Sequence, residues 1–239
     1  MAEIINLGSL RFNGKPKIPG VKYNGEAIAF GDTIPGMAIP FVKWGKLLVA
    51  CQCVCIDVSW MDMKNTGYIF GRPIKIDGTL YLCRSLKAGE VEGAPNEWDD
   101  ILDDLGDDNS LWSWERMYFW GQEVPTGYRE SRTVRGYTTS RGWGGYLAAS
   151  RYEFVGFRPV LEPLDQPSSP LVSNSLIGAD LRLYGPDADV VGQLVEYTEY
   201  DLVMVQNTEQ RLPRKCRWAR RNGDCIIIDR SAIVWMKEE

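Results

Sequence analysis

Histidine is absent from all 239 residues. Without an imidazole there is no Ser-His-Asp or Cys-His hydrolysis, and no zinc site built on histidine. Long apolar runs are absent too. Runs such as 47–50 and 225–228 fall far short of the roughly 20 residues that span a bilayer, so no membrane partner is expected. A basic excess is also lacking: 27 Lys and Arg stand against 32 Asp and Glu, for a net charge of −5. That balance argues against a protein built only to coat nucleic acid, and leaves room for a local basic patch. The first residues, Met1 to Asn6, show no basic segment followed by an apolar stretch, so no secretory leader is read there.

Paired thiols at metal-site spacing are missing as well. The six cysteines stand at 51, 53, 55, 83, 216 and 225. Cys51, Cys53 and Cys55 alternate, so on a strand they would share one face as small buried hydrophobes. No metal site is assigned to them. Reduced thiols without a leader make the cytoplasm the expected compartment.

What is present is ordinary globular material, 44% hydrophobic and 25% charged, enough for one large or two small domains. Three prolines and two serines around Pro163, Pro167 and Pro170 read as a linker. The expected division is 1–162, a linker over 163–172, and 173–239. In the first part, strands are expected at 27–30, 46–58, 67–70 and 79–84. Asn96 can cap a helix carrying Trp98, Ile101, Leu102 and Leu105 at helical spacing, ended by Gly106. Ser110 can cap a second helix running to Gly121, and the chain then reads as loop. The second part reads as all-β, with strands at 181–184, 190–197, 201–206, 214–219, 225–228 and 232–236, short enough to close as a small barrel. The expected class is α+β.

The pairs Asp99-Asp100 and Asp103-Asp104 flank the apolar stripe of the first helix and are expected on a solvated face. Asp107 and Asp108 lie beyond its end and have ligand chemistry, but the twelve-residue EF-hand pattern is absent.

Arg135-Gly136-Tyr137, Trp143, Ala149-Ser150-Arg151 and Gly156-Phe157-Arg158-Pro159-Val160-Leu161 form a series that resembles the end of the C-type-lectin-like fold. That fold is used by formylglycine-generating-enzyme relatives and by phage and bacterial variable ligand-binding proteins. Tyr81 to Arg84, Asn96 to Asp99 and Trp112 to Trp114 are similar to its upstream part. The enzymes of that family use a late cysteine pair to bind copper, and residues 84–215 here contain no cysteine. The resemblance therefore implies the binding variant, with Arg135, Tyr137, Arg141, Trp143, Tyr146, Arg151 and Tyr152 on a loop-rich face. Each can meet a ligand or pack internally.

Gly192 to Met204 resembles the first motif of Sm-like proteins: a glycine, a strand, a bend and another strand. Asp229 to Trp235 is similar to the second motif, a tight turn between the last two short strands. The resemblance implies a small barrel that holds bases at two turns, here Tyr200-Asp201 and Asp229-Arg230-Ser231. Tyr200 can stack on a base, Asp201 can accept from a base edge and Arg230 can meet phosphate. Alternatively, Tyr200 closes the barrel and Asp229 makes a turn. Between the motifs, Arg211, Arg214, Lys215, Arg217, Arg220 and Arg221 surround Trp218, as a phosphate-binding patch or a charge-guarded edge strand.

Together the resemblances imply a non-catalytic, phage-type protein of the cytoplasm (the host's, if phage-encoded) with no cofactor. It would sequester a nucleotide or short nucleic acid, or occlude a host protein, and so counteract antiviral defence. Sm-like modules form rings, so a homo-oligomer is expected. Two other classes stand beside this one: a virion or tail-associated receptor-binding protein, and a metal-dependent nuclease or phosphodiesterase using the Asp clusters.

Overall fold

The computed structural model describes residues 3–164, 174–185, 188–205 and 218–239. The chain divides into two compact units, Met1–Leu164 and Asp165–Glu239. Most of the expected linker, 165–172, lies outside the described residues. Among the described residues β-structure dominates, with three short α-helices.

The first unit contains two sheets. One has eight strands, ordered Lys15–Lys17, Ile4–Phe12, Ala38–Trp44, Leu47–Ala50, Pro159–Pro163, Thr79–Ser85 and Arg72–Ile76, with Ile28–Gly31 also paired to Ile4–Phe12. The other has six, ordered Trp143–Leu147, Ser131–Gly136, Tyr118–Trp120, Val155–Phe157, Cys55–Ile56 and Val21–Lys22. The chain passes from the second sheet to the first through a single residue, Arg158, between Val155–Phe157 and Pro159–Pro163.

That residue is fully buried. One end of its guanidinium donates to the carbonyls of Ala50 (3.0 Å) and Cys51 (2.8 Å), and the other to that of Trp112. The rings of Trp98 and Phe119 lie 5.1 and 5.0 Å from it. Burial depresses its pKa, because an interior site disfavours the charged form. Gly156, two residues earlier, has no room for a side chain. A Cβ there would stand 2.6 Å from the Cys55 carbonyl oxygen and 2.7 Å from Cys53 Cβ.

The helices correct the sequence reading in two places. Helix α1 (Trp60–Asn65) was not expected. A reciprocal cap starts it, with Ser59 Oγ accepting from Asp62 N and the Asp62 carboxylate accepting from Ser59 N, both at 3.0 Å. Helix α2 (Glu97–Leu105) follows the expectation, capped by Asn96 and ended at Gly106. Helix α3 (Asn109–Trp112) is a single turn, capped by Asp108 and not by Ser110. It stops because Ser113 and Arg116 adopt left-handed backbone, at φ +45° and +57°. The chain then becomes the strand Tyr118–Trp120, where a long helix was expected. The expected strand at 67–70 is a turn, and the expected loop beyond Gly121 contains four strands.

The expected strand 46–58 is also interrupted. Only Leu47–Ala50 and Cys55–Ile56 are extended, because the chain crosses between sheets over 51–54. The alternation of the three cysteines is lost with it. Cys51 and Cys53 pack with Trp98, Trp112 and Phe119, whereas Cys55 packs in the other cluster with Phe157 and Val155.

The described residues of the second unit form one antiparallel six-stranded sheet, ordered Ala219–Asn222, Cys225–Asp229, Asp201–Val205, Asp189–Tyr197, Asp180–Tyr184 and Trp235–Glu238. Alternate residues point inward: Leu181, Leu183, Val190, Leu194, Leu202, Met204, Ile226 and Ile228 form a core drawn from this unit alone. A register shift between Leu194 and Glu196 bends the long strand. The expected strand at 232–236 begins later, after a 3₁₀ turn at Arg230–Ala232. Among the described residues no pairing joins the two end strands.

Two outcomes follow from this packing. Arg158→Met should lower stability by about 3 kcal/mol or more, since three buried carbonyls lose their donor; urea unfolding of the full chain measures it. Burial raises the thiol pKa of Cys51, Cys55 and Cys83 and pushes that of Cys53 up to about 11. Iodoacetamide at pH 8 should therefore leave these four unmodified in the native protein and label them after denaturation, as read by peptide mapping.

Candidate functional site

A cleft of about 550 Å³ opens on the second unit. It is lined by Tyr200 and Asp201 from one turn and by Asp229 and Ser231 from another, with Glu199 beside them. Trp218, Ala219, Arg220 and Ile227 complete the described wall. The two turns assigned from the sequence thus share one cleft, although they are far apart in the chain.

Cross-strand register brings them together. Asp201 and Asp229 are direct partners in the ladder between Asp201–Val205 and Cys225–Asp229. The backbone N–H of Arg230 donates to the Tyr200 carbonyl at 2.9 Å, and its guanidinium donates to the Thr198 carbonyl. Thr198 in turn accepts from the amides of Tyr200 (3.1 Å) and Asp201 (2.9 Å) through its hydroxyl. Arg230 therefore holds the first turn in place and, unlike Asp229 and Ser231, does not line the cleft. Asp229 Oδ1 accepts from the amide (2.9 Å) and hydroxyl (2.7 Å) of Ser231. Those bonds hold the Asp229 carboxyl below its ordinary range, the hydroxyl having the larger effect.

Tyr200 is 72% exposed, so it is not part of the unit's apolar core. Trp218 is buried against Gly185, where a Cβ would stand 2.2 Å from its ring. Ile227 escaped the sequence reading, and Trp218 entered it only as the ring within the basic run. Ile227 carried a signal, since in 225–229 it alternates with the inward Ile226 and Ile228 and so must face outward. Of the expected basic patch, Arg220 and Arg221 are exposed on Ala219–Asn222 and Arg220 borders the cleft. Arg211, Arg214, Lys215 and Arg217 lie outside the described residues.

The first unit arranges its expected binding residues differently. Arg135 is an interior residue, 2% exposed, and not part of a displayed face. It ion-pairs with Asp99 and donates to the carbonyls of Ala88 and Arg141 at 3.1 Å. Arg141 pairs with Asp103. Arg151 makes a two-pronged bond to Asp62 at 2.9 and 3.0 Å and lies 4.7 Å from the Tyr23 ring centre. Trp143 donates to the Gly89 carbonyl at 3.3 Å. Tyr137, at φ +80°, stacks on Tyr118 with ring centres 4.9 Å apart. Tyr146 packs between Tyr118 and Tyr152, with Phe154 against both Tyr146 and Tyr152.

The acidic pairs lie on a largely solvated face, as expected, with Asp100, Asp103 and Asp104 exposed and Asp99 half-buried, and most of them are also engaged in structure. Asp99 and Asp103 accept from arginines, and Asp104 accepts from the Trp44 indole at 2.7 Å. Asp107 accepts from Ser140 at 3.2 Å, and Asp108 caps α3. Among the described residues no group of three or more Cys, Asp or Glu is arranged to hold a metal ion. No family model, curated protein or solved structure matches this chain.

The two arginine pairs of α2 should differ sharply. Asp99→Asn strips a buried guanidinium of its counter-charge and should cost about 3 kcal/mol. Arg141→Ala removes an exposed pair and should cost less than about 1 kcal/mol. Equal losses in urea unfolding would remove Arg135–Asp99 from its central place.

Proposed function

We propose that this protein is a non-catalytic binding protein whose second unit holds a nucleotide or a short single strand of nucleic acid. One observation carries the reading. Residues from both turns that the Sm-like resemblance assigned to base binding, Tyr200 and Asp201 from one and Asp229 and Ser231 from the other, line a single cleft. The bend at 194–196 and the tight 3₁₀ turn before the last strand further support that resemblance.

The chemistry of the wall suits a base. An exposed tyrosine ring offers a stacking surface, Ile227 offers an apolar floor, and carboxylates offer acceptors to N–H edges. Arg220 at the border of the cleft offers a phosphate contact. Binding without turnover is the simplest role for such a set, and sequestration of a nucleotide signal is the function it fits. Repeated subunits would raise the apparent affinity for a longer strand.

Tyr200 gives the direct test. Its side chain makes no hydrogen bond or ring contact among the described residues, so Tyr200→Ala should shift the melting temperature by less than about 2 °C. Affinity for a mononucleotide, or for a short single-stranded RNA, should fall by about 5- to 100-fold, the usual effect of losing one stacking ring. Unchanged affinity in that variant, or no nucleotide binding by the unaltered chain, would discard the reading.

A further inference from the structure

Building on the nucleotide reading above, we propose that the cleft selects guanine, read by the Asp201 and Asp229 carboxylates, with Arg220 placed for the phosphate. The pattern of unused hydrogen-bonding groups points there. Among the described residues, the Asp201 carboxylate accepts no hydrogen bond and forms no ion pair. Asp229 uses Oδ1 for Ser231 and leaves Oδ2 open toward the cleft side of the ladder. An ionised carboxylate can only accept. A ligand edge seated on this pair must therefore present N–H donors, and adjacent ones for a two-pronged contact.

Only one common base has such an edge. Guanine carries N1–H beside the N2 amino group, two donors side by side. Uracil carries one N–H flanked by two carbonyl oxygens, which would face the carboxylates and be repelled. Adenine and cytosine each offer an amino group next to a ring nitrogen that accepts. The wall therefore discriminates by leaving like-signed atoms opposed in the wrong complexes.

The sheet also sets where the rest of the nucleotide lies. Asp201 and Asp229 are cross-strand partners, so their side chains leave the sheet on one face. Ile227, two residues before Asp229, is on that face, and Arg220 is the cross-strand partner of Ile227. Two residues along a strand and one strand across separate the Asp229 and Arg220 Cα atoms by about 8 Å. The face thus runs acid, apolar, base over the reach of a single nucleotide. A phosphate is excluded from the acidic end by Glu199, Asp201 and Asp229, and is drawn to Arg220, which forms no ion pair among the described residues. Tyr200 stands at the acidic end, where a base would stack.

Isothermal titration of the full chain with GMP, AMP, CMP and UMP at one ionic strength tests this. GMP should bind about ten-fold or more tightly than each of the others, the discrimination of one good two-pronged base contact. Asp201→Asn, checked by its thermal melt, should lower GMP affinity by about ten-fold and leave AMP affinity unchanged. If all four bind the unaltered chain equally, guanine selection is overturned while nucleotide binding stands. If none binds, both fall. A GMP preference that survives Asp201→Asn overturns the assignment to the carboxylates. If the variant does not fold, the four-nucleotide comparison still decides.

Discussion

Arg158 places a positive charge in the interior of the first unit, and among the described residues no carboxylate approaches it. Such a charge is tolerable only if its hydration is replaced. Here three backbone carbonyls and two aromatic faces replace it, and each comes from a different part of the chain: 50–51, 112, 98 and 119. The guanidinium can be satisfied only when the sheet crossing, the single turn of α3, helix α2 and the strand Tyr118–Trp120 are all in place. Its satisfaction is therefore a condition on the whole unit, not on one contact. Gly156 belongs to the same condition, since a side chain there would push the crossing strand off Cys53 and Cys55.

The same logic extends outward from that centre. Trp98 stacks over Arg158 from α2, and its indole donates to the Ser140 carbonyl at 2.7 Å. Asp99, the next residue, takes the buried Arg135. Helix α2 thus anchors the segment 135–141 from below, and that segment carries Tyr137 into its left-handed conformation. A bulky residue at φ +80° is strained and persists only where its surroundings over-determine it. Here the stacking on Tyr118 and the backbone bonds to Trp114 and Arg116 do so. The aromatic rings of the first unit thus contact one another through Tyr118, Tyr137, Tyr146, Tyr152 and Phe154.

Local order was legible in the sequence, and long-range order was not. Helix α2 could be read because its cap, apolar stripe and terminal glycine lie within eleven residues, from Asn96 to Gly106. Helix α1 had a legible signal too, Ser59 with Asp62 three residues on, but its six residues are too few for periodicity to show. The segment after α3 misled because Leu111, Trp114, Met117 and Tyr118 have helical spacing. Tertiary contacts override it: the indoles of Trp112 and Trp114 are held by the carbonyls of Gly106 and Asp107, and Tyr118 pairs with two strands. The acids of α2 lie on the solvated side as their spacing implied, but nothing local tells that Arg135, far along the chain, will be buried against Asp99.

The cleft shows how a site can be half legible. Each turn was visible alone, through its Tyr-Asp or Asp-Arg-Ser chemistry, but their meeting depends on register. Sliding Cys225–Asp229 by one residue against Asp201–Val205 would separate Asp201 from Asp229 and turn Ile226 and Ile228 out of the core. The hydrophobic alternation that buries those isoleucines is therefore what sets the two carboxylates side by side. Like charges so placed repel, and the ladder itself gains nothing from them. The strain is borne by the core beneath and by the bonds of Thr198, Arg230 and Ser231 around the rim. A ligand that brings N–H donors to the pair relieves the repulsion without moving either turn. Because the turns are already fixed, a ligand seated there would meet little ordering cost, and its interaction energy would go into affinity.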